Sequence, residues 1–235
     1  MNNTVSSIVR WAIVLAMPFF LGLGAIRLII AAAPLYLDYE YAKPNFPEDL
    51  YGFTQEQRRE LAAVAVDYLQ RPDPAEAVIH LLEEQRLPGS SDPLYNPSEI
   101  SHMVDVKRVT DAIGRLWWVS ALIVVGGLVL LLARPGTRLI GYRAIMGGGI
   151  ATTILLLAIA LFILLGWSVF FVQFHELLFP PGTWTFAYSD SLIRLFPEKF
   201  WFDLGVIMSL LPLAAGIVVA GLGYFLSKSA AGGNA

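Results

Sequence analysis

Long apolar runs alternate with shorter polar segments along the chain, and this pattern predicts four membrane-spanning helices. A helix of about 20 apolar residues crosses the roughly 30 Å hydrocarbon core of a bilayer, and each run comes close to that length. The first run is longer than the apolar core of a signal peptide and contains Arg27, so we expect a retained anchor. The predicted spans are residues 1–37, 116–133, 144–173 and 204–227.

Basic residues between the spans predict the orientation of the chain. The short connection at 134–143 carries three arginines and no acidic residue. Short loops rich in Lys and Arg remain on the cytoplasmic side. We therefore expect both termini, including a tail at 228–235, to be cytoplasmic. The longer segments at 38–115 and 174–203 then lie outside the cell membrane.

Helical periodicity in the first outer segment predicts a small, mainly helical cap. Residues 53–70 start with the spacing of a capping box and continue with apolar residues at helical intervals. A second helix is expected at 73–85, and a third is expected to lead directly into the second span. The predicted caps are Thr54 with Gln57, then Asp73, and finally Asn96 or Ser98.

The second outer segment combines helix breakers with a β-prone stretch. The Pro-Pro-Gly sequence at 180–182 ends the helix of the third span. The alternating residues at 183–189 favour a short strand. Asp190 or Ser189 is expected to cap the helical turn that follows, and residues 198–202 form an amphipathic stretch before the fourth span.

Composition supports this architecture and excludes several kinds of function. The 235 residues are 56% hydrophobic and 15% charged, with a mean hydropathy of +0.62. A net charge of −3 argues against nucleic acid as a partner, because phosphate binding needs a basic surface. The absence of cysteine excludes disulfides and a thiol nucleophile. The predicted fold class is an all-α membrane protein with four transmembrane helices, a small helical extracytoplasmic cap and a second outer segment containing a strand.

Two of the three histidines are predicted to meet at one depth. His102 lies 32 residues before Arg134, and His175 lies 32 residues after Arg143. If both helices are continuous, each histidine stands about 48 Å from the inner arginines, so the two rings face each other at the outer interface. His80 lies inside the cap, where we expect an ordinary, partly exposed side chain.

The residues beside the histidines suggest how one of them is oriented. Asp105 shares a helix face with His102, so its carboxylate is expected to accept an N–H bond and fix the tautomer of that ring. Ser101, Lys107 and Glu176 point elsewhere on ideal helices. Ordinary polar decoration of a helix end remains an alternative.

Known hydrolase motifs are missing from the chain. There is no G-x-S-x-G sequence and no H-E-x-x-H sequence, since Phe179 stands where a second zinc-binding histidine would fall. A zinc site made by His102, Asp105 and His175 remains open. Small residues within the spans indicate close helix packing; they are Gly147, Gly148, Gly149, Gly216 and Ala220.

Two blocks of residues in the outer segments form a further pattern. They are Glu99, Ser101-His102-Met103 and Asp105-Val106-Lys107, then Phe174-His175, Phe179, Gly182, Trp184, Asp190, Leu192-Ile193 and Phe196-Pro197-Glu198. The first block resembles the E-x-S-H-M-x-D-V-K signature, and the second the "F-H … D-x-L-I … P-E" segment, of the lipoprotein intramolecular transacylase (Lit) family.

The resemblance implies an acyltransferase that acts on diacylated bacterial lipoproteins. It implies transfer of the sn-2 acyl chain from glycerol to the α-amine of the N-terminal cysteine, which leaves the lyso-form. The two essential histidines of that family correspond to His102 and His175. On this hypothesis His102 is the general base, oriented by Asp105, and the other histidine or a nearby donor holds the oxyanion.

Further expectations concern substrate contacts and partners. Arg27 either holds a substrate carbonyl or carboxylate, or extends to the interface. Tyr41, Trp184 and Tyr188 are further substrate-binding candidates. We expect no cofactor, no nucleic acid, a lipoprotein substrate, membrane lipid as surroundings, and a monomer. Two other functions stay open: a metal-dependent membrane hydrolase and a non-catalytic partner-binding protein.

Overall fold

A computed structural model describes residues 2–232, and its regular elements are helices. Within this range no strand is formed, so the strand predicted at 183–189 is wrong. The elements are α1 (Asn3–Ala31), α2 (Ala33–Tyr41), α3 (Gln55–Gln70), α4 (Ala75–Val78), α5 (His80–Glu83), α6 (Pro97–Leu132), a 3-10 turn (Pro135–Thr137), α7 (Arg138–Leu178), α8 (Ser191–Leu195) and α9 (Glu198–Gly232).

Four of these helices are long and apolar enough to cross a membrane, as the hydropathy pattern predicts. They are α1, α6, α7 (with the 3-10 turn before it) and α9. Each except α1 extends beyond its apolar run, so residues 198–202 are the first turns of α9 and not a separate stretch. Met1 of the first predicted span and residues 233–235 of the predicted tail lie outside the described range.

The first apolar run forms two helices instead of one. α1 ends at Ala31 and α2 begins at Ala33, with a proline at the start of α2. Pro34 has no N–H to donate to the carbonyl one turn earlier. The carbonyl of Ile30 accepts a hydrogen bond from Gln70 Nε2 instead, at 2.6 Å.

One compact unit contains Met1–Arg27, Ile113–Leu164 and Val206–Ala235. Its helices approach closely at glycine positions, as the small residues in the sequence predict. A Cβ atom on Gly149 would lie 2.3 Å from the backbone nitrogen of Ala220, and one on Gly223 would lie 2.3 Å from that of Met146. Ile13 and Leu131 are fully buried in the apolar core of this unit.

The second unit contains Leu28–Ala112 and Leu165–Gly205, and it carries both outer segments. Its core is built largely from α2, α3, the short helices and the first turns of α6 and α9. Asp49 and Arg194 form a buried ion pair at 3.0 Å, with side chains 2% and 9% exposed. Tyr41 and Tyr68 are among the largest fully buried side chains.

The predicted caps agree with the structure only in part. Thr54 and Gln57 form the predicted capping box of α3. Asp73 is not a cap, because Pro74 occupies that position and the predicted helix breaks into α4 and α5. Asp190 stands at the N-cap of α8, but its carboxylate accepts the N–H of Ala187 and no N–H of the helix.

Asn96, not Ser98, caps α6. Its Oδ1 accepts the backbone N–H groups of Ser98 at 2.9 Å and Glu99 at 3.0 Å. Glu99 returns the bond, since its Oε2 accepts the N–H of Asn96 at 2.8 Å. The other oxygen, Oε1, accepts the N–H of Leu192 in α8 at 2.7 Å. One buried carboxylate therefore joins the start of α6 to the start of α8.

Candidate active site

The second unit brings His102 on α6 and His175 on α7 together. Their ring centroids lie 6.5 Å apart and the ring planes are inclined by 24°. The two rings are therefore neighbours, as the equal spacing from the inner arginines predicts. The helix that carries His175 is bent nine residues earlier, at Gly166, where the backbone is non-helical (φ −145°, ψ 45°).

A backbone carbonyl fixes the tautomer of His175. Its Nδ1 lies 2.7 Å from the carbonyl oxygen of Phe171, one helical turn earlier. A carbonyl oxygen only accepts hydrogen bonds, so Nδ1 carries the proton. In the neutral ring, Nε2 then holds the lone pair. The ring orientation of His175 is thus fixed by its own helix, and Nε2 can accept a proton.

His102 is buried, and its Nδ1 has no hydrogen-bond partner within residues 2–232. The predicted hydrogen bond from the His102 ring to the Asp105 carboxylate is not formed there, so this part of the prediction is wrong. The carboxylate of Asp105 accepts a bond from Arg108 at 3.2 Å instead. Arg108 also forms an ion pair with Glu76, at 2.5 Å. Because the Asp105 carboxylate pairs with a cation one turn along its own helix, it makes no bond to the imidazole, which remains among apolar rings.

Aromatic rings surround the two imidazoles. Centroids of Phe179 and Phe186 lie 4.9 and 5.3 Å from the His102 ring. The His175 ring has Phe171 at 4.1 Å and Trp184 at 5.0 Å. Sequence reasoning did not bring these rings together. Phe179 was noted as a mismatch to a zinc motif and as part of the family resemblance, Trp184 was a substrate-binding candidate, and the irregular segment that carries Phe186 was predicted as a strand. We call these four rings and the two imidazoles the aromatic shell.

Trp184 contributes more than its ring to the aromatic shell. Its indole Nε1 is buried and has no hydrogen-bond partner within residues 2–232. The residue follows a turn closed by the Thr183 side chain on the carbonyl of Pro180 at 2.9 Å, with Gly182 at a φ of +79°. This positive φ favours glycine. A donor without an acceptor therefore lies beside the His175 ring.

Three other sequence candidates lie apart from the aromatic shell or belong to the other unit. Tyr41 is a core residue whose hydroxyl donates to the carbonyl of Leu195, and burial raises its pKa. Its hydroxyl therefore has a partner within the core. Tyr188 is 80% exposed and borders a groove of about 580 Å³. Arg27 belongs to the first unit, where its guanidinium stacks on the Trp117 ring at 4.8 Å.

Two further polar side chains singled out by the sequence are His80 and Lys107. His80 is exposed, which fits the ordinary cap side chain expected there. Lys107 is fully buried and its Nζ meets Asp111 Oδ1 at 2.5 Å, so it pairs with an acid of its own helix. Within residues 2–232, no group of three or more His, Cys, Asp or Glu side chains is arranged to hold a metal ion. His102, Asp105 and His175 are thus not arranged as such a group in the described part of the chain.

Comparisons with known proteins agree with one another. A family model described as "Lipoprotein intramolecular transacylase Lit" matches residues 11–201. An uncharacterized protein of Aquifex aeolicus (strain VF5) is 30% identical over 208 residues, which cover 88% of this chain and 89% of the relative.

Solved structures show the same fold. The membrane integral lipoprotein intramolecular transacylase Lit from Bacillus cereus superposes with a TM-score of 0.78 at 23% identity, covering 97% of this chain and 98% of that chain. A variant of that protein with one histidine replaced by arginine gives a TM-score of 0.73 over 96% of this chain and 93% of that chain. At this identity the likeness concerns the fold alone.

Proposed function

Because the chain belongs to the lipoprotein intramolecular transacylase Lit family, we propose that it moves an acyl chain within a bacterial lipoprotein. The chain is taken from the sn-2 oxygen of the diacylglyceryl group and joined to the α-amine of the N-terminal cysteine. The product is the N-acylated lyso-form. The observation that carries this proposal for the site is the pairing of His102 with His175 inside the aromatic shell.

The first chemical requirement is a base for the amine. An α-amino group has a pKa near 8, so it must lose a proton before it attacks an ester carbonyl. We assign this step to His175, because the Phe171 carbonyl holds its Nδ1 proton and leaves the Nε2 lone pair for the amine. The same nitrogen then returns the proton to the departing glycerol oxygen. Such transfer accounts for about 10²–10⁴-fold in rate.

This assignment reverses the roles predicted from the sequence. Among the residues that the structure describes, no carboxylate bonds to the His102 ring, and its buried Nδ1 has no partner. An unpartnered buried acceptor is less rare in proteins than an unpartnered buried N–H, as backbone groups show. The tautomer that fits is therefore the one with the proton on Nε2. In that form His102 donates a hydrogen bond to the oxygen that becomes negative during the reaction.

The aromatic shell supplies the second requirement, which is protection from water. A reactive ester beside a base is hydrolysed if water competes with the amine. Apolar rings at 4–6 Å from both imidazoles leave little room for water around them. The amine and ester belong to one substrate molecule, so holding them together favours transfer over hydrolysis.

The arginine-rich loop at 134–143 supports the placement of the site at the outer face of the cell membrane, with both termini cytoplasmic. Lipoproteins with a diacylglyceryl group are anchored in the membrane by their acyl chains. A site on the turns that flank the spans fits such a substrate. The orientation is tested by attaching a cytoplasm-specific reporter to the C-terminus.

Mass spectrometry of a reporter lipoprotein tests the function. The reporter is expressed with this protein in a host that lacks N-acyltransferase, and its N-terminal peptide is analysed. We expect one acyl chain to leave glycerol and one to appear on the amine. His102→Ala and His175→Ala should abolish the change, while His80→Ala, the matched control at the exposed third histidine, should not. An unchanged diacylglyceryl peptide with the folded wild type would refute the proposal.

Substitution by glutamine separates the two histidines. Glutamine retains a side-chain N–H donor but is no base, so His102→Gln should keep a measurable fraction of the activity. His175→Gln should have none. The opposite ranking would show that His102 is the base, as the sequence suggested.

A further inference from the structure

The buried indole nitrogen of Trp184 is a polar group that the fold leaves unused. Leaving a buried donor without an acceptor is unfavourable, because the hydrogen bond it made to water in the unfolded chain is not replaced. Trp184 Nε1 has no hydrogen-bond partner within residues 2–232. The indole ring lies 5.0 Å from the ring of His175. A donor in this position is satisfied if an acceptor arrives with the substrate.

We propose that the Trp184 Nε1–H donates a hydrogen bond to the acyl oxygen of the substrate as the tetrahedral intermediate forms. This inference rests on the proposed acyl transfer. The amine nitrogen forms a bond to the ester carbon, and the carbonyl π electrons move onto the oxygen. His175 holds the amine proton. When the intermediate collapses, the carbonyl re-forms, the bond from carbon to the glycerol oxygen breaks, and that oxygen takes the proton.

Two features of the chain suit Trp184 to this role. The turn at 180–183 fixes the backbone immediately before it, with Gly182 at positive φ and two bonds from Thr183 to the Pro180 carbonyl. A fixed donor needs no reorganisation when charge develops, which is the condition for effective oxyanion stabilisation. The donor also sits in an apolar environment, where a hydrogen bond to a charged oxygen is strongest.

Trp167 provides a matched control. It is a second tryptophan of the same unit with a buried, unpartnered Nε1. Its ring packs on Phe171 at 5.5 Å and on Phe202 at 5.3 Å, and no ring contact joins it to either histidine among the described residues. Replacing it with phenylalanine removes the same atoms without removing a donor beside His175.

The test measures kcat and KM of the purified full-length protein with a synthetic diacylglyceryl lipopeptide in detergent. Loss of one oxyanion donor lowers kcat by about 10²–10³-fold. We expect this loss for Trp184→Phe with KM within about threefold of wild type, while Trp167→Phe stays within about threefold in both. A Trp184→Phe enzyme with wild-type kcat, or one in which only KM rises, would overturn the inference.

A second variant distinguishes hydrogen bonding from packing. Trp184→His keeps an aromatic ring and an N–H donor, whereas Trp184→Phe keeps only the ring. If the donor acts in catalysis, the histidine variant is the more active of the two. If the indole only fills space, the phenylalanine variant is at least as active, and the inference is wrong. Wild-type protein that forms no N-acyl product would overturn the proposed function as well, so the two failures are told apart.

Discussion

Replacing Glu99 with alanine should destabilise the second unit by about 3–6 kcal/mol. The side chain is 1% exposed, and its two oxygens accept the N–H groups of Asn96 at 2.8 Å and Leu192 at 2.7 Å. Hydrogen bonds to a charged group contribute about 1.5–3 kcal/mol each, and alanine removes the acceptor from both donors, of which the Leu192 N–H is buried. Glu99→Gln retains one acceptor oxygen, so about half of the loss is expected.

The measurement is a denaturant titration of the purified protein in detergent, followed by tryptophan fluorescence. Glu84→Ala is the control, because it removes the same group from an exposed position of the same segment. The three variants should rank with Glu99→Ala least stable, Glu99→Gln intermediate and Glu84→Ala close to wild type. Equal transitions for Glu99→Ala and Glu84→Ala would refute the reasoning.

Two further predictions concern ion pairs. Burial raises the pKa of the Asp49 carboxyl, but hydrogen bonds from Arg194 and from the Phe53 N–H outweigh burial and hold that pKa below its usual range. The ionised carboxylate therefore stabilises the folded protein above about pH 4, and this stability should be lost as the pH falls through the lowered pKa of Asp49 in the folded state. Melting temperatures measured from pH 6 to pH 3 should fall more steeply for wild type than for Asp49→Asn, and parallel curves would contradict this. Asp105→Asn should keep activity within about threefold in the lipopeptide assay, since that carboxylate contacts Arg108 and not His102; a loss of 100-fold would restore it as an orienting group.

The sequence predicts the helices and the meeting of the histidines for clear physical reasons. Apolar runs of bilayer length have few alternatives to a helix, because every backbone group must be satisfied within the membrane. A count of residues along two helices then compares the heights of their side chains. The rings of His102 and His175 are neighbours as the equal count predicts, although α7 is bent at Gly166 and is not the continuous helix that the count assumed.

Orientation of side chains is harder to predict. A carboxylate three residues from a histidine faces the same side of a helix, yet Arg108 lies equally close to Asp105 and competes for it. The break before α2 depends on one proline inside an apolar run, and hydropathy does not register it. Residues 183–189 alternate as a strand does, but within the described range they have no neighbouring strand and are irregular. Whether such a segment forms a strand depends on a pairing partner and not on the local pattern alone.

The hydrogen bond from His175 to the Phe171 carbonyl makes the proposed base and its orienting group parts of one helical turn. Both lie on α7, so the direction of the Nε2 lone pair is set by the backbone of a single helix and not by a partner from a loop. Movements of the first outer segment as a substrate enters would leave this pair intact. In the proposed mechanism, the proton-transfer step therefore keeps its geometry whichever lipoprotein is bound.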